Sequence, residues 1–166
     1  VFVVPMPFTI DGKEYEEDIN LTQEEFYKIL LSERKIKTSQ PAIGEMIHYY
    51  QDILKDYDQI VYIPMSSGLS SSCQSAILLA QEDAFINRVF VVDSKRISVT
   101  QKQDVLDAVE LIKQGKTGKE VYDILMENAM NATIYITVNT LEYLKKGGRV
   151  TPAAAAIGEA LKIKPV

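Results

Sequence analysis

Six serines lie in one short segment of the 166-residue chain, and hydroxyl groups at this density can bind an anion. They are Ser66, Ser67, Ser70, Ser71, Ser72 and Ser75. The apolar run Ile60–Ile63 precedes them, and apolar residues return at helical spacing from Ala76 to Ala80. This pattern predicts a strand, a loop and a helix. Because the first N–H groups of a helix have no partner inside it, the segment is a candidate anion site.

The candidate anion site follows the carboxyl end of a predicted buried strand, where open α/β sheets usually bind ligands. Thr38 and Ser39 stand just before another predicted helix, so two helix starts can meet at one anion through uncharged donors. A carboxylate suits such donors. Serines also cap helices without any ligand, and capping by the first four serines of the segment is the alternative interpretation.

Catalytic motifs do not fit this segment. A serine hydrolase needs Gly-x-Ser-x-Gly, whereas Ser66–Ser70 reads Ser-Ser-Gly-Leu-Ser. The one histidine, His48, lies on a predicted helix, where histidine is more often a surface or packing residue than a base. A phosphate loop needs a glycine-rich turn that ends in lysine, and Ser66–Ser72 has one glycine and no lysine. The segment therefore favours neither a serine hydrolase nor a nucleotide-binding phosphate loop.

Two further residues allow a chemical and a structural interpretation. Cys73 falls in the first turns of the predicted helix, where a thiolate can be stabilised, but a buried small hydrophobe is the commoner role. Asp93 closes a predicted strand and can be a capping residue, a loop residue or a metal ligand. Capping is the favoured role.

Composition limits the class of protein. The chain is 46% hydrophobic and 25% charged, which is typical of a globular fold, and its net charge of −5 gives no general attraction to nucleic acid. One cysteine and one histidine leave no zinc cluster, and we expect no metal and no cofactor. No apolar run approaches the roughly 20 residues that span a bilayer, so we expect no stable membrane insertion. A single cysteine suits the reducing cytoplasm.

The first third of the chain predicts a hairpin and two helices. The hairpin has its turn at Asp11-Gly12, between residues 1–10 and 13–17. Thr22 and Glu25 form a capping box for a helix that ends near Arg34. A second helix, capped by Ser39 or Gln40, is expected to end at about residue 55.

The rest of the chain predicts alternating strands and helices. Val89–Val92 is expected to be a strand parallel to Ile60–Ile63, and helices are expected over about 103–114 and from 117 through 129. On the first of these helices, the predicted inward residues are Val105, Leu106, Val109 and Ile112. Ile134–Val138 is expected to be a third buried strand, followed by a short helix that is broken at Gly147 and Gly148.

Helix and strand patterns continue to the end of the chain. We expect a further helix from Pro152 and a strand at Ile163. The polar segment near residue 130 places a domain boundary there, with a first domain at 1–131 and the beginning of a second at 132–166. The chain opens and closes on strand-like runs, so we expect an internal piece of a longer protein.

Four motifs occur in order, followed by the closing AIGEALKIKPV. They are TSQPA (Thr38–Ala42), SSGLSSSCQSA (Ser66–Ala76), VVDSKRIS (Val91–Ser98) and LEYLKKGGRV (Leu141–Val150). Together they resemble the DegV family of bacterial fatty-acid-binding proteins over nearly the whole chain. The resemblance implies a two-domain α/β fold with a mostly parallel sheet in the first domain and a long-chain fatty acid buried between the domains. It also implies a non-catalytic role, in which the acid is presented to a separate fatty-acid kinase.

The same resemblance assigns roles to residues. Thr38 and Ser70 would hold the fatty-acid carboxylate, with Ser39, Ser66 and Ser67 as supports. Arg149 would lie either near the head group or on the kinase-docking face. Two other functions remain open: an enzyme acting on a small anionic metabolite at the same serines, and a regulatory or scaffold module that uses the basic surface from Lys145 to Arg149.

Overall fold

The computed structural model describes residues 1–16, 19–32, 34–138 and 140–151. Helices and strands alternate along the described chain, which confirms the α/β class. By its contacts the chain divides into two compact units. One is Gln40–Ile134, and the other contains Val1–Ser39 and the described residues from Tyr135 onward. The domain boundary at residue 131 stays a prediction.

An antiparallel sheet of three strands is built from the first 38 residues. The strands β1 (Pro7–Ile10), β2 (Lys13–Glu16) and β3 (Ile36–Thr38) have the order β2-β1-β3. The predicted hairpin is confirmed, because Asp11 (φ 52°) and Gly12 (φ 85°) both adopt the left-handed conformation of a tight two-residue turn. The sequence did not predict β3, which pairs Thr38 with Phe8.

Helix α1 (Gln23–Leu30) begins at the predicted capping box. The Glu25 amide donates to Thr22 Oγ1 at 3.3 Å, and the Thr22 amide donates to Glu25 Oε2 at 3.0 Å. The helix ends four residues before the predicted Arg34, since the chain has to become extended to enter β3.

The unit Gln40–Ile134 contains the predicted parallel strand pair. Strands β4 (Ile60–Tyr62) and β5 (Val89–Val91) pair in parallel, with Ile60 opposite Val89. The helices of this unit are α2 (Ile43–Asp56), α3 (Ser72–Leu79), α4 (Ser98–Lys113) and α5 (Gly118–Glu127), and a 3₁₀ turn follows at Ala129–Asn131. The strand-loop-helix prediction around the serines is therefore confirmed.

Two apolar clusters pack this unit. Tyr50 of α2 meets the rings of Tyr62 and Phe85 edge-on, at 6.0 and 5.4 Å between centroids. The second cluster joins the residue directly after β5 to α4 and α5 and consists of Val92, Ala108, Val121 and Leu125. Both clusters hold β4 and β5 in place, so the loops that leave these strands start from a packed base.

The predicted inward face of α4 is partly wrong. Leu106 and Ile112 are exposed, whereas Asp104 and Ala108 are buried. Asp104 faces inward and pairs with Arg96, and this orientation of the helix places Leu106 and Ile112 on its exposed side.

The predicted strand Ile134–Val138 is not observed. Tyr135 and Ile136 are exposed, and no strand in the described part of the chain pairs with this run. An apolar, β-branched run becomes a strand only when a neighbouring strand accepts its backbone hydrogen bonds.

The short helix α6 (Glu142–Lys146) is present as predicted and ends at Gly147 and Gly148. The helix predicted from Pro152 and the strand predicted at Ile163 lie outside the described residues. Within the described ranges, no helix combines the length and apolar character that a bilayer span requires.

Candidate functional site

The serine loop, defined as Ser66–Ser71, connects β4 to α3. The chain that follows β5 carries Asp93, Lys95 and Arg96. Because β4 and β5 are parallel, both segments leave the sheet at its carboxyl edge and meet there. The structure thus brings Ser66, Ser67 and Ser70 together with a set of charged residues.

Ser66 shapes the turn at the start of the serine loop. Its carbonyl oxygen accepts the amides of Leu69 (2.9 Å) and Ser70 (3.1 Å), and its Oγ accepts the amide of Gly68 (3.2 Å). Its own amide donates to the Arg96 carbonyl oxygen at 3.0 Å. Ser66 is buried, so its first role is to hold the loop against the segment after β5.

Ser70 is engaged with the first turn of α3. Its Oγ accepts the Ser72 amide at 3.2 Å and lies 2.9 Å from Ser72 Oγ. Ser71 occupies the N-cap position, but its side chain makes no capping hydrogen bond. The cap predicted among the first serines is therefore supplied by Ser70, one residue before the N-cap position.

Ser67, Asp93 and Lys95 form a network that we call the charged clamp. The Ser67 amide donates to Asp93 Oδ1 at 3.2 Å. The Lys95 ammonium donates to Ser67 Oγ at 2.7 Å and also pairs with Asp93 Oδ2. Asp93, predicted to be a capping residue, instead ties the serine loop to the end of β5.

The charge state of Asp93 follows from its partners. Burial alone would raise the pKa of this carboxyl group, but hydrogen bonds from Lys95 and Ser67 outweigh burial and hold the pKa below its ordinary value. Asp93 is therefore ionised at neutral pH, and the clamp contains one negative and one positive charge.

Arg96 and Asp104 form a buried ion pair behind the serine loop. Arg96 Nη1 contacts Asp104 Oδ1, Arg96 Nη2 donates to the Asn128 carbonyl oxygen at 2.8 Å, and the Asp104 side chain is 1% exposed. Because the Arg96 carbonyl oxygen also accepts the Ser66 amide, these contacts connect the serine loop to α4 and to the end of α5. Sequence reasoning missed this pair. The sequence feature that could have revealed the pair is the position of Asp104 on the same helix face as Ala108 and Leu111.

Cys73 behaves as a small buried hydrophobe. The side chain is fully buried, and burial, together with the nearby Asp93 carboxylate, raises the pKa of its thiol to about 11. The thiol is neutral at physiological pH, so the structural interpretation fits and a reactive thiolate does not.

A small apolar hollow lies between α2 and α3. Its volume is about 10 Å³, room for one water molecule. The lining includes Met46, Tyr62, Ala76 and Leu79. Ligand pockets usually have about 300–1,000 Å³, so a long alkyl tail needs walls that this hollow does not provide.

Thr38 and Ser39 do not precede a helix directly, contrary to the prediction. Thr38 ends β3, and the amide and hydroxyl of Ser39 donate to the Pro7 carbonyl oxygen at 3.0 and 3.4 Å. Helix α2 starts after Ala42, whose amide donates to Glu45. Ser39 and Gln40 are therefore not its caps. Thr38 and Ser39 belong to one compact unit and the serine loop to the other, and their shared ligand stays a prediction.

Arg149 lies just after α6. Its amide donates to the Leu144 carbonyl oxygen at 2.8 Å, and its guanidinium contacts the Gly147 carbonyl oxygen. The side chain is exposed. Both predicted roles, at the head group and at a docking face, are compatible with this position.

The whole chain, residues 1–166, matches the family model described as "Uncharacterised protein, DegV family". The chain belongs to the DegV family. The resemblance carried by the four sequence motifs is thereby confirmed.

A curated DegV protein is similar to this chain in sequence, and solved structures are similar to it in fold as well. A DegV domain-containing protein of Staphylococcus aureus is 36% identical over 167 residues, which cover 100% of this chain and 59% of the relative. The structure of a DegV family protein from Thermus thermophilus, whose description names fatty-acid binding, has a TM-score of 0.83 and 32% sequence identity to this chain. The match covers 98% of this chain and 57% of the Thermus thermophilus chain. A stearic-acid-binding protein of Eubacterium ventriosum has a TM-score of 0.81 and 28% identity, over 98% and 58%. This chain thus spans about three fifths of the curated relative's length.

The DegV motifs coincide with the site elements. TSQPA is the exit from β3, SSGLS is the serine loop, and VVDSKRIS holds the charged clamp and Arg96. LEYLKKGGR is α6 with its glycine end. Two of the four motifs, SSGLS and VVDSKRIS, therefore form one loop cluster within the unit Gln40–Ile134.

Proposed function

We propose that this chain is part of a non-catalytic DegV protein that binds a long-chain fatty acid and that its serine loop holds the carboxylate. The observation that carries the proposal is the serine loop itself. Ser66, Ser67 and Ser70 are clustered at the carboxyl edge of a parallel strand pair, in a fold shared with proteins described as fatty-acid-binding.

Hydroxyl groups of the serine loop can donate to an anion. Ser66 Oγ accepts a backbone amide, so the hydrogen of its hydroxyl can be directed to a ligand. Ser70 Oγ accepts the Ser72 amide and donates to Ser72 Oγ, so a bound carboxylate would replace Ser72 Oγ as the acceptor of the Ser70 hydrogen. Thr38 and Ser70 are the proposed principal ligands of the carboxylate, with Ser39, Ser66 and Ser67 as supports. Thr38 is exposed at the end of β3, which leaves its hydroxyl accessible.

The tail supplies most of the proposed affinity. Burial of about 15 methylene groups at roughly 0.8 kcal/mol each gives a gross gain on the order of 12 kcal/mol, before the cost of association. Each neutral hydrogen bond adds about 1 kcal/mol. Tail burial therefore gives affinity, while the hydroxyls select a carboxylate and decide which end of the acid faces outward.

The proposal includes a partner and a location. The bound acid is presented to a separate fatty-acid kinase, and Arg149 acts either at the head group or in kinase docking. The exposure of Arg149 supports both roles equally. A cytoplasmic location accords with a sequence that has a single cysteine.

Lipid analysis of the full-length protein tests the proposal. Protein expressed in bacteria is denatured and extracted with solvent, and the extract is examined by mass spectrometry. We expect straight-chain free fatty acids near one per protein, because tail burial retains the lipid through purification. A phosphorylated metabolite would favour the enzyme alternative. A lipid-free protein whose thermal stability is also unchanged by added fatty acid would favour the scaffold alternative.

A further inference from the structure

The Lys95 ammonium is bonded directly to a hydroxyl of the serine loop. Its Nζ lies 2.7 Å from Ser67 Oγ and also contacts the Asp93 carboxylate. Lys95 has a left-handed backbone (φ 59°), a conformation that is uncommon for a residue with a side chain. From this uncommon backbone conformation, the Lys95 side chain reaches both Ser67 and Asp93.

The contact fixes the direction of the hydrogen bond. An ammonium group has only donors, so Ser67 Oγ must be the acceptor. The Ser67 hydroxyl hydrogen is the donor that remains. In this structure a hydrogen bond from the Ser67 side chain helps to lower the pKa of Asp93, and because Ser67 is exposed, a bound anion can replace Asp93 as the acceptor. A positive charge behind the oxygen polarises the O–H group, which strengthens its hydrogen bond to an anion.

The positive charge of Lys95 offsets the negative charge that Asp93 places beside the serine loop. The Asp93 side chain is 12% exposed and accepts the Ser67 amide at 3.2 Å, which places a negative charge beside the serine loop. An anion at the loop would be repelled by this carboxylate if it were unpaired. Lys95 compensates for Asp93 and adds a donor. The neighbouring Arg96 is already paired with Asp104.

We propose that Lys95 is a selectivity-determining residue, whose charge acts through the Ser67 hydroxyl to make the serine loop prefer an ionised carboxylate to a neutral head group such as an alcohol. The inference rests on the proposed function and names what selects the head group. Lys95 acts through Ser67, and its side chain is 52% exposed, so solvent limits the size of the effect.

The test compares an acid with an alcohol of the same tail. Dodecanoic acid and 1-dodecanol are titrated separately into delipidated full-length protein by calorimetry, and the ratio of their affinities is taken. This ratio cancels changes in tail burial and in overall stability. We expect Lys95→Met to lower the acid-to-alcohol ratio about threefold to tenfold, mainly through weaker binding of the acid.

Three matched variants separate charge from structure. Lys95→Arg keeps the charge and should keep most of the ratio. Lys119→Met removes a lysine that pairs with Asp123 on α5, and it should leave the ratio unchanged. Asp93→Asn removes the negative charge and leaves Lys95 charged, so the ratio should be equal or higher even if the loop is less stable.

Each outcome decides between the alternatives. An unchanged ratio in Lys95→Met, or a fall in Asp93→Asn equal to that in Lys95→Met, would overturn the selectivity role and leave Lys95 as a structural residue. If the unaltered protein binds neither ligand, the proposed function itself fails. If the unaltered protein binds the acid but the affinity ratios of the variants differ from those expected, the proposed function stands and the selectivity role of Lys95 fails.

Discussion

Replacing Ser70 by alanine separates the two roles that one hydroxyl can have. Ser70 Oγ accepts the Ser72 amide at 3.2 Å and contacts Ser72 Oγ at 2.9 Å. Loss of a helix-start acceptor usually costs about 0.5–2 kcal/mol of unfolding free energy. If Ser70 also donates to the carboxylate, its loss should cost a further 1–3 kcal/mol of binding, or roughly fivefold to 150-fold in affinity.

Both quantities can be measured on the same full-length variants. Urea denaturation of the delipidated protein gives the stability change, and calorimetric titration with dodecanoic acid gives the change in affinity. Ser71→Ala is the matched control, because Ser71 occupies the N-cap position without a side-chain capping bond. We expect little change in either quantity for the control. A Ser70→Ala protein that is less stable but has unaltered affinity would show that Ser70 is a cap only, and the carboxylate assignment would be withdrawn.

Two other substitutions test the support of the site and the docking surface. Arg96→Met should lower the unfolding free energy by about 3–5 kcal/mol in urea denaturation, because it leaves the Asp104 carboxylate buried without its cation. Arg96→Met combined with Asp104→Leu should recover much of this loss. Equal losses in the single and the double variant would contradict this explanation. Arg149→Ala should leave fatty-acid affinity unchanged and slow the kinase-dependent phosphorylation of the bound acid if Arg149 lies on the docking face. The opposite pattern, with weaker acid binding, would assign it to the head group.

Local sequence signals predicted most of the secondary structure. The Asp11-Gly12 turn and the Thr22–Glu25 box were read correctly because their decisive interactions join residues no more than three positions apart. The box from Thr117 to Glu120 starts α5 in the same way. Such interactions depend little on the rest of the fold, so the sequence contains enough information to predict them.

Elements that depend on distant partners were predicted less well. Strand β3 was missed because its three residues form a strand only through pairing with β1, about 30 positions earlier in the chain. The face of α4 was partly wrong because Asp104 turns inward to meet Arg96, which lies outside the helix. In both cases long-range contacts decided what local preference left open.

By itself, the sequence determined that a serine-rich loop joins a buried strand to a helix, since the serines are adjacent in the chain and the apolar periodicity changes on either side of them. Only the tertiary structure decided which groups surround that loop. Ser67 meets Asp93 and Lys95, which are 26 and 28 positions away, because the parallel pairing of β4 and β5 brings the two strand ends to one edge of the sheet. A charge held beside a hydroxyl in this way depends on strand register, and register is set by the packing of the whole unit rather than by any short stretch of residues.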